Sequence, residues 1–335
     1  MNKKNKIYLF IAFLLSAAVI IKEVRKVSFQ VLVQEFNQIN LIFLGAALLC
    51  MLIHWGIEAE IIKLFLKRTN PSFSFVKSYR IPLIEHLFNA ITPFSTGGQP
   101  AQIVALSKSG VDSGVAASVS LMKFVVYQIW IVINFILCIL FGFKWLSTNL
   151  REMTFLVILS FIIHFVIVLA LLMVMYWYKF TNKLVSLFFN WLIRIKKGPA
   201  TEALRRRTVE KMANFYEESR YLKSRPSLMI KASLLTVFQL VAYYIVPYFI
   251  LLAVGVNDVS PIQVVVFHAF IIMVISLFPI PGGTGGAEYS FTVLFGSYIA
   301  ANSKLVLAIL LWRIVTYYIG ILLGLGSLLI SPKNY

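Results

Sequence analysis

The chain has 335 residues, of which 60% are hydrophobic and 13% charged, with a formal net charge of +18. Its mean hydropathy is +0.85. An average soluble domain is about 45–50% apolar and about 25% charged, so this composition excludes an ordinary soluble enzyme, a disordered tail and a fibrous protein, and points to a polytopic membrane protein. The positive charge reads as cytoplasmic loops that follow the positive-inside rule and meet anionic lipid, rather than as a nucleic-acid surface.

The N-terminus imitates a signal peptide, with basic residues in Met1–Lys6 and an apolar run over Ile7–Ile21. No cleavage site followed by a polar stretch closes it, because Ser16-Ala17-Ala18 runs on into Val19-Ile20-Ile21-Lys22. An uncleaved first span is expected. Crossing a hydrocarbon core takes about 20 helical residues, and stretches of that kind lie at 7–24, 40–62, 115–142, 154–178, 228–254 and 303–330. Cys50 and Cys138 sit inside apolar runs and read as small hydrophobes, with neither a disulfide nor a metal expected. His54, His164 and His268 lack metal-ligand spacing and read as hydrogen-bonded packing residues. No cofactor is expected.

Two regions, 81–107 and 261–300, each hold two shorter apolar pieces broken by Pro and Gly: Thr92-Pro-Phe-Ser-Thr-Gly-Gly-Gln-Pro100 and Phe278-Pro-Ile-Pro-Gly-Gly-Thr-Gly-Gly286. Non-helical backbone at membrane depth survives only when buried in protein or lining a wet cavity. The basic segment 179–227 and the 63–80 loop are expected to be cytoplasmic; the 255–260 loop, without Lys or Arg, is expected outside. Counting crossings puts both termini inside. It also requires each broken region to cross an even number of times, as a re-entrant hairpin or as two short spans.

The chain reads as one membrane domain over 1–335, internally duplicated with repeat 1 at about 40–142 and repeat 2 at about 228–330. Aligning Pro93 with Pro279 pairs Gly97 with Gly283 and Gln102 with Glu288. The two units run in opposite directions across the membrane, and inverted repeats with interrupted helices are a transporter signature with the site at the repeat interface.

Charged groups inside a membrane cost about 2.5–3.5 kcal/mol each on insertion scales, so each needs a reason. Glu288 follows Gly282, Gly283 and Gly285 and opens a half-helix. Glycines allow close backbone approach and a helix N-terminus attracts an anion, so a phosphate could sit there beside Glu288; alternatively Glu288 only caps its own helix. Gln102 could bond a headgroup or pack helices. Thr96, Gly97 and Gly98 could supply donors to the same pocket or satisfy only their own turn. Lys123 and Arg313 each have a Tyr four residues on, Tyr127 and Tyr317, and a cation on each repeat suits a phosphate; the alternative is snorkelling. Glu85 could pair with Arg80 or with a pocket cation. Glu58 and Glu60 read as interfacial and inert. No catalytic constellation is visible.

The two breaks, carried through Ala287-Glu288 and through Ala101-Gln102, resemble the transmembrane domain family of lysylphosphatidylglycerol synthases, over essentially the whole chain. The Pro-x-Pro-Gly-Gly-x-Gly-x-x-Glu stretch is the most specific part, and Gln102 stands where the family pattern is often acidic. The resemblance implies a flippase-like membrane unit that moves a lipid, without the soluble aminoacyltransferase domain of two-domain members. The expectation is an all-α membrane protein with about six spans and two re-entrant helical hairpins in an inverted repeat. It would be a flippase for a phosphate-bearing lipid or lipid-linked headgroup in a bacterial plasma membrane. The alternative is a membrane subunit of an aminoacyl-phospholipid synthase or of a lipid glycosyltransferase system. Expected partners are the lipid substrate and anionic lipids at the basic loop, with a homo-oligomer left open and no nucleic acid.

Overall fold

The computed structural model describes residues 21, 25, 27–149, 151–195, 198–299 and 301–330. The first expected span, 7–24, lies outside them apart from Ile21. Every regular element among the described residues is helical. The chain is an all-α polytopic membrane protein; among the described residues, five helices are long and apolar enough to span: Leu41–Leu66, Ser113–Gly142, Met153–Val174, Pro226–Ala253 and Asn302–Leu329.

A short helix α1 (Phe29–Asn37) precedes the first of these spans, α2 (Leu41–Leu66). Asn40 starts α2 by accepting the Ile42 N–H on its side chain at 3.0 Å. Helices α3 (Phe75–Ile91) and α4 (Gly98–Lys108) form the first hairpin. Asp112 then caps the long α5 (Ser113–Asn149), its carboxylate accepting from the N–H groups of Gly114 and Val115 at 2.8 and 3.2 Å. Next comes α6 (Arg151–Tyr176). The outer faces of these spans expose Leu52, Phe141 and Val166, as a lipid-facing surface requires.

The basic segment expected as a loop is instead two helices, α7 (Tyr178–Ile195) and α8 (Pro199–Lys223), packed on each other. On α7, Leu184, Leu187, Phe188 and Trp191 are exposed, while Lys183 and Arg194 share the helix. That composition suits a helix lying in a membrane interface. The next span is two pieces, α9 (Pro226–Tyr244) and α10 (Val246–Ala253), broken around Pro247, whose ring cannot donate to the helical ladder.

The second hairpin is α11 (Pro261–Ile275) and α12 (Gly286–Phe295). The last span is α13 (Asn302–Arg313), a π-turn over Ile314–Tyr318 and α14 (Ile319–Leu329). The hairpin arms have 17, 11, 15 and 10 residues, short of the about 20 a full crossing takes. Arms of 11, 15 and 10 residues suit regions that turn back part-way. The two breaks pack against each other, so the hairpin tips meet.

The bundle has two distinguishable ends. At one, the Arg80 guanidinium donates to the Ser327 carbonyl at 2.7 Å and to that of Ile330, closing the carboxyl end of α14 where the helix dipole favours a cation. At the other, the Asn40 N–H donates to the Ala253 carbonyl at 2.9 Å. The core is densest around the second hairpin and the last span, where Phe270, Phe291, Phe295 and Trp312 are fully buried. Helix α14 sits close on α3: a Cβ at Gly324 would lie 2.5 Å from the Leu83 carbonyl oxygen. Only a missing side chain permits that approach.

The two breaks share one local design. Each opens with a single 3₁₀ turn, Pro93–Ser95 and Pro281–Gly283. Each turn holds two left-handed residues, Phe94 and Ser95 (φ 52° at both) and Gly282 and Gly283 (φ 64° and 60°). Thr96 and Thr284 then each donate their hydroxyl to the carbonyl of the opening proline at 3.0 Å. The breaks therefore match with Pro93 on Pro281, an offset of 281 − 93 = 188, and share Pro-x-x-Thr-Gly-Gly. This shifts by two the register expected from Pro279. The counterpart of Glu288 is Pro100, and that of Gln102 is Ser290.

Candidate functional site

A cavity of about 550 Å³ lies beside the first break, between α2, α3, α5 and α9. Its polar wall is an ion cluster. The Lys123 ammonium on α5 lies between the carboxylates of Glu58 on α2 and Glu85 on α3, donating to both. These side chains are 9%, 13% and 14% exposed. Gln239 Nε2 on α9 donates to the second oxygen of Glu58 at 3.2 Å. His54 Nδ1 lies 3.0 Å from the Gln239 carbonyl, so it carries the proton, and its Nε2 faces Glu58 at 4.0 Å. Tyr127, Thr96, Ser95 and Gln99 are among the other polar residues that line it.

Two carboxylates around one ammonium give the cluster a formal charge of −1. Lys123 is therefore not the free cation expected for a phosphate. Burying charges is tolerable only when each is paired and hydrogen-bonded. An anionic headgroup would have to bring its own cation or take Lys123 from a glutamate. The residue the sequence reading misplaced is Glu58, taken as interfacial and inert. It lies on the buried stripe of α2 with Met51, Trp55 and Ile62, a helical spacing already present in the sequence. Glu60, on the other face, pairs with Lys63 at 3.8 Å and is 46% exposed.

Glu288 and Arg313 form a second, separate cluster outside this cavity. Glu288 Oε2 accepts the Gly285 N–H at 2.7 Å, capping its own helix, and Oε1 accepts from Arg313 Nε at 2.6 Å. Arg313 also donates to the Gly282 carbonyl at 3.1 Å and lies over the Trp312 and Tyr317 rings at 5.3 and 5.2 Å. Both side chains are about 5–6% exposed. A phosphate at this helix start would meet the Glu288 carboxylate already in place. Arg313 Nη2 is buried with no hydrogen-bond partner among the described residues, and so are both amide atoms of Gln102 on α4.

The donors expected from the first break are used locally. The Gly97 N–H donates to Thr92 Oγ1 and the Gly98 N–H to Asn89 Oδ1, each at 2.9 Å. Tyr317 joins the two regions. Its hydroxyl donates to the Ala90 carbonyl at 3.0 Å, and its own carbonyl, in the π-turn, lies 3.3 Å from His86 Nε2. Single π-turns inside α-helices often mark functional sites. Glu85 pairs with Lys123, while Arg80 serves the end of α14. His268 packs between the Tyr244 carbonyl (3.2 Å) and Trp312 Nε1 (3.3 Å), as a packing histidine should.

The breaks differ in exposure. Pro93, Phe94, Ser95 and Thr96 are exposed, whereas Pro281, Gly283 and Thr284 are buried. The open polar space is on the side of the first break, and the second is closed over its ion pair.

Comparison with known proteins agrees with this architecture. The chain is 26% identical over 301 residues to a protein of Archaeoglobus fulgidus named UPF0104 membrane protein, a match covering 85% of each chain. The family model described as "Lysylphosphatidylglycerol synthase TM region" matches residues 9–324. The chain belongs to the family of lysylphosphatidylglycerol synthase transmembrane regions.

Proposed function

We propose that the chain is a lipid flippase. It takes the polar headgroup of a phosphate-bearing lipid into the Glu58–Lys123–Glu85 cavity and passes it between the two breaks while the acyl chains stay in the bilayer. The observation that carries this reading is a cavity of about 550 Å³ with two largely buried carboxylates and an ammonium, set against an exposed helix break. Ionisable groups at membrane depth are costly and mark substrate or ion paths.

The matched breaks favour an inverted repeat, whose binding site is expected where the repeats meet. One open and one closed break then represent one side of an alternating cycle. The formal charge of −1 favours a headgroup that carries a cationic group along with its phosphate, the cation on Glu58 and Glu85 and the phosphate on Lys123. Basic residues at the Arg80 end favour the cytoplasmic side for that end and for both termini, in a bacterial plasma membrane.

The test is headgroup translocation by the purified protein in liposomes carrying phosphatidylglycerol or its aminoacyl ester. Wild type should equilibrate at least one of them faster than protein-free liposomes, and Lys123→Gln should slow it at least tenfold. Equal rates in all three would overturn the proposal. Product formation by the chain with a soluble transferase, without translocation, would favour the membrane-subunit reading.

A further inference from the structure

The central cluster holds one carboxylate more than Lys123 can match. The ammonium donates to both Glu58 and Glu85. Two acceptors on one ammonium are held close together, and these two carboxyl groups come within hydrogen-bonding reach of each other. Carboxylates that share a site in this way need a second cation, or a proton, between them. The cavity of about 550 Å³ opens a way in for either.

The two glutamates are not equivalent. Glu58 Oε1 accepts from Lys123 and Oε2 from Gln239 Nε2 at 3.2 Å, and His54 Nε2 faces Oε2 at 4.0 Å. Its charge is supported from α5, from α9 and from its own helix. Glu85 has Lys123 as its one N–H donor among the described residues. Two other titratable side chains line the cavity. His86 has its Nε2 3.3 Å from the Tyr317 carbonyl, and Tyr127 lies one turn along α5 from Lys123. The first break and α6 add uncharged residues to the described lining. Glu85 is therefore the carboxylate whose partner can change, while Glu58 stays with Lys123.

We propose that the protein is a proton-coupled exchanger, in which Glu85 holds in turn a proton and the cationic group of the headgroup. This rests on the proposed transport and names what drives it. With no headgroup bound, one proton on Glu85 makes the cluster neutral. A headgroup of net charge +1 displaces that proton: the Glu85 O–H bond breaks, the proton passes to water, and an ammonium pairs with the carboxylate. When the headgroup leaves on the other side, a proton from that side replaces it. The loaded site is neutral in both forms, which keeps the cost of burial low. One proton crosses for each headgroup that crosses the opposite way, as carboxylates at membrane depth do in other transporters.

The test uses the full chain in liposomes with a trace of the labelled lysyl ester of phosphatidylglycerol. Its two ammonium groups and one phosphate give a net charge of +1. A pH difference is imposed and the membrane potential is clamped at zero. One-for-one exchange should gather the lipid in the leaflet facing the more acidic side, at a ratio of about tenfold per pH unit. Glu85→Gln should lose this ratio and Glu85→Asp should keep it, which separates the carboxyl group from folding. Lipid movement by wild type to equal leaflets, whatever the pH difference, would overturn the exchange and leave the transport reading standing. No movement by wild type would overturn both. A Glu85→Gln variant that keeps the tenfold ratio would overturn the assignment to Glu85.

Discussion

The Tyr317 hydroxyl donates to the Ala90 carbonyl at 3.0 Å, tying the last span to the end of the first hairpin's leading arm. The same ring covers the second break, where a Cβ on Gly282 would lie 2.4 Å from it. One side chain therefore holds both breaks. Tyr317→Phe should cost about 1 kcal/mol, the net value of one hydrogen bond. Gly282→Ala should cost more, about 2–4 kcal/mol, because it adds that clash to a φ of 64° that disfavours any side chain. Thermal unfolding in detergent reads both; an Ala variant as stable as wild type would show that the ring moves freely.

Lys123 compensates two carboxylates, so its loss is not equivalent to theirs. Lys123→Met leaves Glu58 and Glu85 buried and facing each other, and should destabilise by about 3–5 kcal/mol. The triple variant Lys123→Met/Glu58→Gln/Glu85→Gln should recover most of that, since no charge remains unpaired. A triple variant less stable than the single would contradict the ion-cluster account.

Gln102 presents a different balance. Its amide is fully buried, with neither atom hydrogen-bonded among the described residues, and such a group costs about 1–3 kcal/mol. Gln102→Leu, of similar volume, should therefore stabilise the fold by about 1 kcal/mol or more. If the amide serves the headgroup path, translocation falls in the same variant. Function is often retained at the expense of stability in this way. Unfolding and translocation measured side by side separate the two effects; a destabilised Leu variant would contradict the unpaired amide.

Span positions and the broken regions were legible in the sequence because hydropathy and Pro/Gly punctuation act locally. The 40–62 stretch corresponds to α2, and the Thr92–Pro100 break lies between α3 and α4. The register between the breaks was expected on Pro279 and lies on Pro281: the second break offers two prolines, and the Pro-x-x-Thr-Gly-Gly that both breaks share, together with the backbone conformation, selects Pro281. Charge count made 179–227 basic but could not show that α7 and α8 are helices. Lys123 and Arg313 stood out as intramembrane cations, whereas their partners depend on tertiary packing across 65 and 25 positions. Glu58 was hidden by its neighbour Glu60, although helical spacing places the two on different faces of α2.

The central claim is that the headgroup passes through the cavity at the first break. Ser95 lines that cavity and is exposed. It can be replaced by Cys in a chain with the two known cysteines, Cys50 and Cys138, changed to Ala. Attaching a bulky maleimide at position 95 should abolish headgroup translocation in liposomes, while the unlabelled protein retains it. A fully labelled protein that still moves the lipid at the unlabelled rate would contradict the account.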